Sequence, residues 1–352
     1  YVLHTREEGI LIAGSDERGV FYGLQTLRQL LRPPEEGEGA GAGAAVPGAQ
    51  IRDRPHVPVR GIRLYLPGRE NLPFFRRFVR DFCALFKFNT LILEVNACMR
   101  LHKHPELNAA SVEFARNLHA TRRSRPAGPR GEGQDSAHHD AADGGVLEQD
   151  EVAALVRYAR EHHVEVIPEI PSLTHAYYLL ARHRELAEVP GAEWPDTYCP
   201  SCPESYALYF DVLDEYIAVM QPRTVHIGHD EWRMPVEYCP RCRNQDHTEL
   251  FVGDVQRIHG YLSKQGIRVA MWGDHLLESV RNVAYRERIT PGGAPYRVPG
   301  AISPQQVANR IPKDILIFNW FWEDSPGWLA PGPYRGEDND LQLQGWGFEQ
   351  VY

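Results

Sequence analysis

Several things are missing from this chain, and each absence narrows what it can do. Basic residues do not predominate: 38 lysines and arginines stand against 47 aspartates and glutamates, a formal net charge of −9. Phosphate binding needs a basic surface, so no nucleic acid is expected as a partner. No apolar run approaches the roughly 20 residues that cross a bilayer, so no membrane span is expected. No secretory leader is visible, and the chain starts at Tyr1 rather than Met, as a fragment would. No internal repeat recurs, which sets solenoids and propellers aside. What remains is a composition ordinary for a globular protein, 43% hydrophobic and 24% charged. A length of 352 residues is enough for one large domain or two with a sizeable core.

The opening 50 residues read as a partial small α/β domain. Residues 10–13 form a strand, Ser15-Asp16 a helix cap, and residues 17–31 an amphipathic helix with Val20, Leu24, Leu27 and Leu31 on its apolar face. Pro33-Pro34 stops the helix, and a Gly-, Ala- and Glu-rich linker over 35–49 marks the domain boundary. From Ile51 the pattern alternates. Strands are expected at 61–66, 90–95, 164–169, 224–227, 269–272 and 315–320, with helices between them and a seventh strand within 345–352. Alternation of this kind builds a parallel sheet, and the number of units favours a TIM (β/α)8-type barrel over residues 51–352. No eighth strand is evident, so the barrel is expected to be truncated or closed unusually. A polar insertion over 120–146 reads as a mobile loop on the catalytic rim, with His138 and His139 as solvated loop histidines rather than metal ligands.

The chemistry concentrates in one stretch. Thr224-Val225-His226-Ile227 is a β-branched run that reads as a buried strand, Gly228 ends it, and two adjacent carboxylates, Asp230 and Glu231, follow. The carboxyl ends of barrel strands are where such folds keep catalytic groups. Two acids this close cannot both ionise freely, and the less solvated one stays protonated. Glu231, next to the apolar Trp232, is the expected general acid, and Asp230 the charged, orienting partner. Without further context, the competing reading is a solvated loop that happens to carry an acid pair.

His226-Ile227-Gly228-His229-Asp230-Glu231 resembles the His-x-Gly-Gly-Asp-Glu signature of the family 20 glycoside hydrolases, the β-N-acetylhexosaminidases. Other segments resemble that family in the same order: Asp53-Arg54-Pro55 with Val59-Arg60-Gly61-Ile62, Val166-Ile167-Pro168-Glu169-Ile170 with Thr174-His175, and Ala270-Met271-Trp272-Gly273-Asp274. Gly19 to Leu30 is similar to the end of the small domain that precedes the family's barrel. The resemblance implies removal of a terminal N-acetylhexosamine from a glycan or glycoconjugate, with no cofactor for catalysis. The sugar's 2-acetamido group would attack the anomeric carbon, Glu231 would protonate the leaving oxygen and then activate water, and Asp230 would hold the acetamido N–H. It further implies sugar contacts from Arg60, Trp272, Trp320 and Trp322, with support from Glu169, His175 and Asn96.

Three positions depart from the family pattern. His229 replaces the second glycine, Phe321 stands where a tyrosine is usual, and the second strand, around Glu94 and Asn96, lacks His-x-x-Asp-Asp. His229 and Phe321 motivate an alternative, a sugar-binding barrel without turnover. A zinc hydrolase using His226, His229 and Asp230 is disfavoured, because that spacing is not a known zinc motif.

Cys199-Pro200-Ser201-Cys202 and Cys239-Pro240-Arg241-Cys242 are two Cys-x-x-Cys pairs flanking the acid stretch. A structural zinc held by all four thiolates is expected, against disulfides or unpaired thiols. Zinc-bound thiolate would favour a reducing, cytoplasmic compartment. Cys83 and Cys98 read as buried and inert.

Overall fold

The computed structural model describes residues 1–32, 44–113, 141–191, 195–232, 239–281, 286–289, 295–320 and 339–351. Phe321, Trp322, His138, His139 and most of the 120–146 insertion lie outside the described residues. By its internal contacts the chain divides into two compact units. The first comprises Tyr1–Leu64, Glu70–Ile92 and Ala153–Val166, the second Tyr65–Arg69, Leu93–Val152 and Ile167–Tyr352.

In the first unit, β1 (Val2–Arg6), β2 (Gly9–Ala13) and β3 (Ala49–Arg52) form an antiparallel sheet in the order β2-β1-β3. The third strand therefore follows the glycine- and alanine-rich linker and pairs back onto β1. Helix α1 (Glu17–Leu30) starts where Asp16 Oδ1 accepts the Gly19 N–H at 2.6 Å, a side-chain cap satisfying one orphan donor of the first turn. Its buried positions are Tyr22, Gly23 and Gln25, whereas Val20, Leu24 and Leu31 of the expected apolar stripe are substantially exposed. The reason is at Gly23: a Cβ there would stand 2.5 Å from Ile12 Cγ2, so the helix meets the sheet through a bare glycine.

The second sheet has seven strands: β4 (Gly61–Tyr65), β5 (Thr90–Glu94), β6 (Glu165–Ser172), β7 (Thr224–Gly228), β8 (Arg268–Trp272), β11 (Leu316–Phe318) and β12 (Glu349–Val351), with a β9–β10 hairpin (Arg286–Ile289, Pro295–Val298) inserted before β11. Their order is β12-β11-β8-β7-β6-β5-β4, the order of the chain, and the recorded pairs β6–β7, β7–β8, β8–β11 and β11–β12 are parallel. Helices occupy the connections, among them α2 (Leu72–Arg77), α3 (Gln149–Glu161), α4 (Pro203–Met220), α5 (His247–Ser263), α6 (Pro304–Arg310) and α7 (Asn339–Gly345). This is the strand-helix alternation of a TIM-type barrel, seven strands wide among the described residues. Every residue of β5 is buried, as are the last seven of β6, which suits central strands covered on both faces. No helix among the described residues is long and apolar enough to cross a membrane.

Candidate active site

At the carboxyl ends of β5, β6 and β7 the backbone enters the left-handed region repeatedly: Asn96 (φ 43°), Leu173 (60°), His175 (50°), Gly228 (77°), His229 (71°) and Glu231 (52°). Such conformations are costly for residues with a Cβ and cluster where a site is held in place. Gly228 is required for space as well, since a Cβ would approach Pro171 Cα to 3.0 Å.

This backbone sets Asp230 and Glu231 side by side, with side chains only 12% and 14% exposed. His175 Nε2 lies 3.5 Å from Asp230 Oδ2 and 3.5 Å from Glu231 Oε2, while its Nδ1 lies 3.6 Å from Asp196 Oδ1. Burial alone would lower the His175 pKa, but the charges of Asp230 and Asp196 raise it well above the usual histidine range. His175 is thus a buried cation facing the acid pair, which does not have the surroundings of a solvated loop.

The loop is clamped through its backbone. Thr174 Oγ1 donates to Asp230 O at 2.6 Å, the Glu231 N–H to Asp274 Oδ2 at 3.0 Å, and the Trp232 N–H to His275 Nε2 at 2.8 Å. His275 Nδ1 faces Gly300 O at 3.0 Å, and burial pushes its pKa down to about 4. The ring is therefore neutral, with its proton on Nδ1 and its Nε2 lone pair toward Trp232. Asp274 also takes the buried Arg281 guanidinium, with Nε at 2.7 Å, and that guanidinium stands 6.0 Å from the Trp320 ring centre. Asp196, Asp274, His275 and Arg281 did not stand out in the sequence as site residues. Only the Trp272-Gly273-Asp274 run offered a signal.

Glu169, on β6, accepts the Trp272 Nε1–H at 3.0 Å and lies 3.9 Å from His226 Nδ1. His226 packs edge-on against Trp272 and Phe318, at centroid distances of 4.6 and 5.0 Å. Asn96 Nδ2 donates to the buried Glu94 Oε1 at 3.0 Å, and the Tyr216 hydroxyl braces the same turn by donating to Asn96 O at 2.8 Å.

His229 accommodates its departure from glycine in a specific way. Its ring is buried, with Nε2 2.8 Å from Asp254 Oδ2 on α5, Nδ1 3.0 Å from Ser172 Oγ, and an edge-on contact with Phe251. Asp254 in turn accepts the hydroxyls of Tyr198 and Tyr206. His226, His229 and Asp230 engage Glu169, Asp254 and His175 respectively, so no common metal point joins the three.

Two expected residues have partners of their own. Arg60 precedes β4; its Nε donates to Lys87 O at 2.7 Å and its Nη1 to Val57 O at 2.8 Å, and it stacks over Tyr22. Among the cysteines, Cys199, Cys239 and Cys242 converge, but their fourth companion is Glu188. Cys202 Sγ faces Glu204 Oε2, 3.0 Å away at the start of α4.

A family model described as glycosyl hydrolase family 20, catalytic domain, matches residues 75–290, and another, family 20 domain 2, matches residues 1–54. The chain belongs to glycosyl hydrolase family 20. The acid pair, Trp272 and both cysteine pairs lie inside the family 20 catalytic match. A β-hexosaminidase of Porphyromonas gingivalis is 29% identical over 303 residues, 79% of this chain and 36% of that protein. A β-hexosaminidase of Akkermansia muciniphila is 28% identical over 289 residues, 78% of this chain and 53% of that protein. This family 20 chain therefore spans between about a third and a half of the length of these relatives. Among solved structures, the family 20 exo-β-N-acetylglucosaminidase of Vibrio harveyi in complex with N-acetylglucosamine superposes with a TM-score of 0.68 at 19% identity. The match covers 99% of this chain and 49% of that one, and it supports the barrel fold.

Proposed function

We propose that this chain carries the catalytic machinery of an exo-acting β-N-acetylhexosaminidase, releasing terminal β-linked N-acetylglucosamine or N-acetylgalactosamine with retention of configuration. The observation that carries the reading is the buried Asp230–Glu231 pair sharing one histidine cation, within a chain that belongs to family 20. The facing oxygens of the two acids and the His175 nitrogen all lie within 4.8 Å of one another. An inverting mechanism needs its carboxyls roughly 6.5–9.5 Å apart to admit a water between them, so this spacing disfavours inversion. Both acids also leave the same loop on consecutive residues, so they do not naturally flank the sugar on opposite faces. The nucleophile is then the substrate's own 2-acetamido oxygen, positioned inside the molecule that it attacks.

Each residue has a role in that step. Glu231 gives its proton to the departing glycosidic oxygen, then removes one from the water that opens the oxazolinium intermediate. Asp230 accepts the acetamido N–H and stabilises the positive charge that grows on that group. His175 keeps Asp230 charged and fixed. Trp272, held by Glu169, and Trp320 supply apolar faces for the sugar ring and acetamido methyl. The non-hydrolytic alternative loses one of its two motives here, because the His229 ring is taken up by Asp254.

A chromogenic N-acetylglucosaminide, its galactosaminide epimer and the plain glucoside lacking the acetamido group test this. The first two should be cleaved and the third spared. Glu231→Gln should lower kcat by roughly 10²–10⁴ with little change in KM. Saturable sugar binding by the wild-type chain with no release of chromophore would establish the binding-only barrel instead.

A further inference from the structure

One cluster left unused by this chemistry is built from Cys199, Cys239, Cys242 and Glu188. Cys199 Sγ lies 3.5 Å from Cys242 Sγ and 3.5 Å from Cys239 Sγ, and a Glu188 carboxylate oxygen completes a group whose atoms all lie within 4.8 Å of one another. All four side chains are buried. A disulfide would need sulfurs about 2.05 Å apart, and three thiols cannot pair off among themselves. A tetrahedral zinc with Zn–S bonds of about 2.3 Å places its sulfurs about 3.8 Å apart, close to the separation seen.

Both Cys-Pro-x-Cys segments turn in the same way. The Cys202 N–H bonds to Cys199 O, and the Cys242 N–H to Cys239 O, each at 3.1 Å. Glu188 supplies an independent sign. It is completely buried, no nitrogen or oxygen donor among the described residues reaches its carboxylate oxygens, and its neighbours are the three thiols. A buried carboxyl with no donor of its own is a group that a cation would satisfy.

We infer that Cys199, Cys239, Cys242 and Glu188 bind one structural zinc ion, with Cys202 outside the ligand set. Three soft thiolates and one carboxylate suit zinc, and four protein ligands leave no open position for a catalytic water. The ion fixes the segment that carries Cys239, eight residues beyond Glu231, to the stretch between Glu188 and Cys199. Tyr198, adjacent to Cys199, donates to Asp254, which holds His229, so the metal joins the network beneath the acid loop.

Metal analysis of the purified wild-type chain should return about one zinc per chain. Cys202→Ser should keep it, whereas Glu188→Gln and Cys239→Ser should lose it or bind it far more weakly. Because Cys239→Ser risks misfolding, cobalt exchange into the wild type and Cys202→Ser gives a second reading. Both should show the same thiolate-to-cobalt charge-transfer intensity, that of three sulfurs. Loss of that intensity in Cys202→Ser, with zinc retained in Glu188→Gln, would establish a four-thiolate site and overturn the assignment. Thiols that titrate freely in the native wild type, with no zinc in the preparation, would dismiss the metal altogether.

Discussion

His175 and His275 both touch the loop that holds the acids, and their surroundings drive them in opposite directions. His275 is kept neutral by burial, with a pKa pushed down to about 4 against about 6.5 in the unfolded chain. Its contribution to stability is present above the unfolded value and lost as pH falls from there through about 4, a difference of about 3 kcal/mol. Urea midpoints of the wild type should therefore drop between pH 6.5 and 4, and His275→Gln should flatten much of that drop. His175 is the reverse case, raised well above its usual value by Asp230 and Asp196 against the opposing effect of burial. Its stabilisation is complete below the unfolded pKa and disappears as pH climbs through the raised one. His175→Gln should accordingly remove an alkaline loss of stability while lowering kcat, and an unchanged alkaline limb would show that the ring is not the cation facing the pair. The sequence pointed to His175 but not His275, whose role exists only because the loop after β8 lies against the loop after β7.

That pairing of loops is the working unit at the level of elements. Asp274 and His275, after β8, each accept one backbone N–H from Glu231 and Trp232, after β7. Asp274→Ala frees the Glu231 backbone and takes the carboxylate from the buried Arg281, so it should cost roughly 3–5 kcal/mol of stability. It should also lower kcat more than it raises KM, since it disturbs the placement of the acid rather than a contact to bound sugar. A second element-level prediction concerns His229. Glycine there would relieve the left-handed strain but leave Asp254 without its imidazole partner and a void against Phe251, so His229→Gly should be net destabilising by about 3 kcal/mol in urea titrations. The strands were legible because each is a short β-branched or apolar run ended by glycine or polar residues, and all seven appear within a few residues of their expected ends. Helix α1 was legible in extent but not in facing, because a buried glycine gives no signal in an apolar stripe. Arg60 shows a related limit: an arginine before a strand looks the same in sequence whether it serves a sugar or three backbone carbonyls. Glu188 was illegible because its partners are 11 to 54 residues away and it belongs to no motif of its own.

For the molecule as a whole, the −9 charge and 16 histidines decide how it meets acid. Protonating the accessible histidines is enough to cancel the excess of carboxylates, which places the isoelectric point near 6.0, inside the histidine range. Solubility should be lowest near that pH, where self-repulsion vanishes, and should recover at lower pH as net positive charge builds. Fold stability should not recover with it, because His275 goes on opposing protonation in the folded state down to about 4. Light scattering and urea midpoints measured on the same samples from pH 8 to 4 should therefore part company below pH 6, with scattering falling while the midpoint continues to drop. If the two instead recover together below pH 6, solubility and stability share one electrostatic cause, and the buried ring does not govern the acid limb.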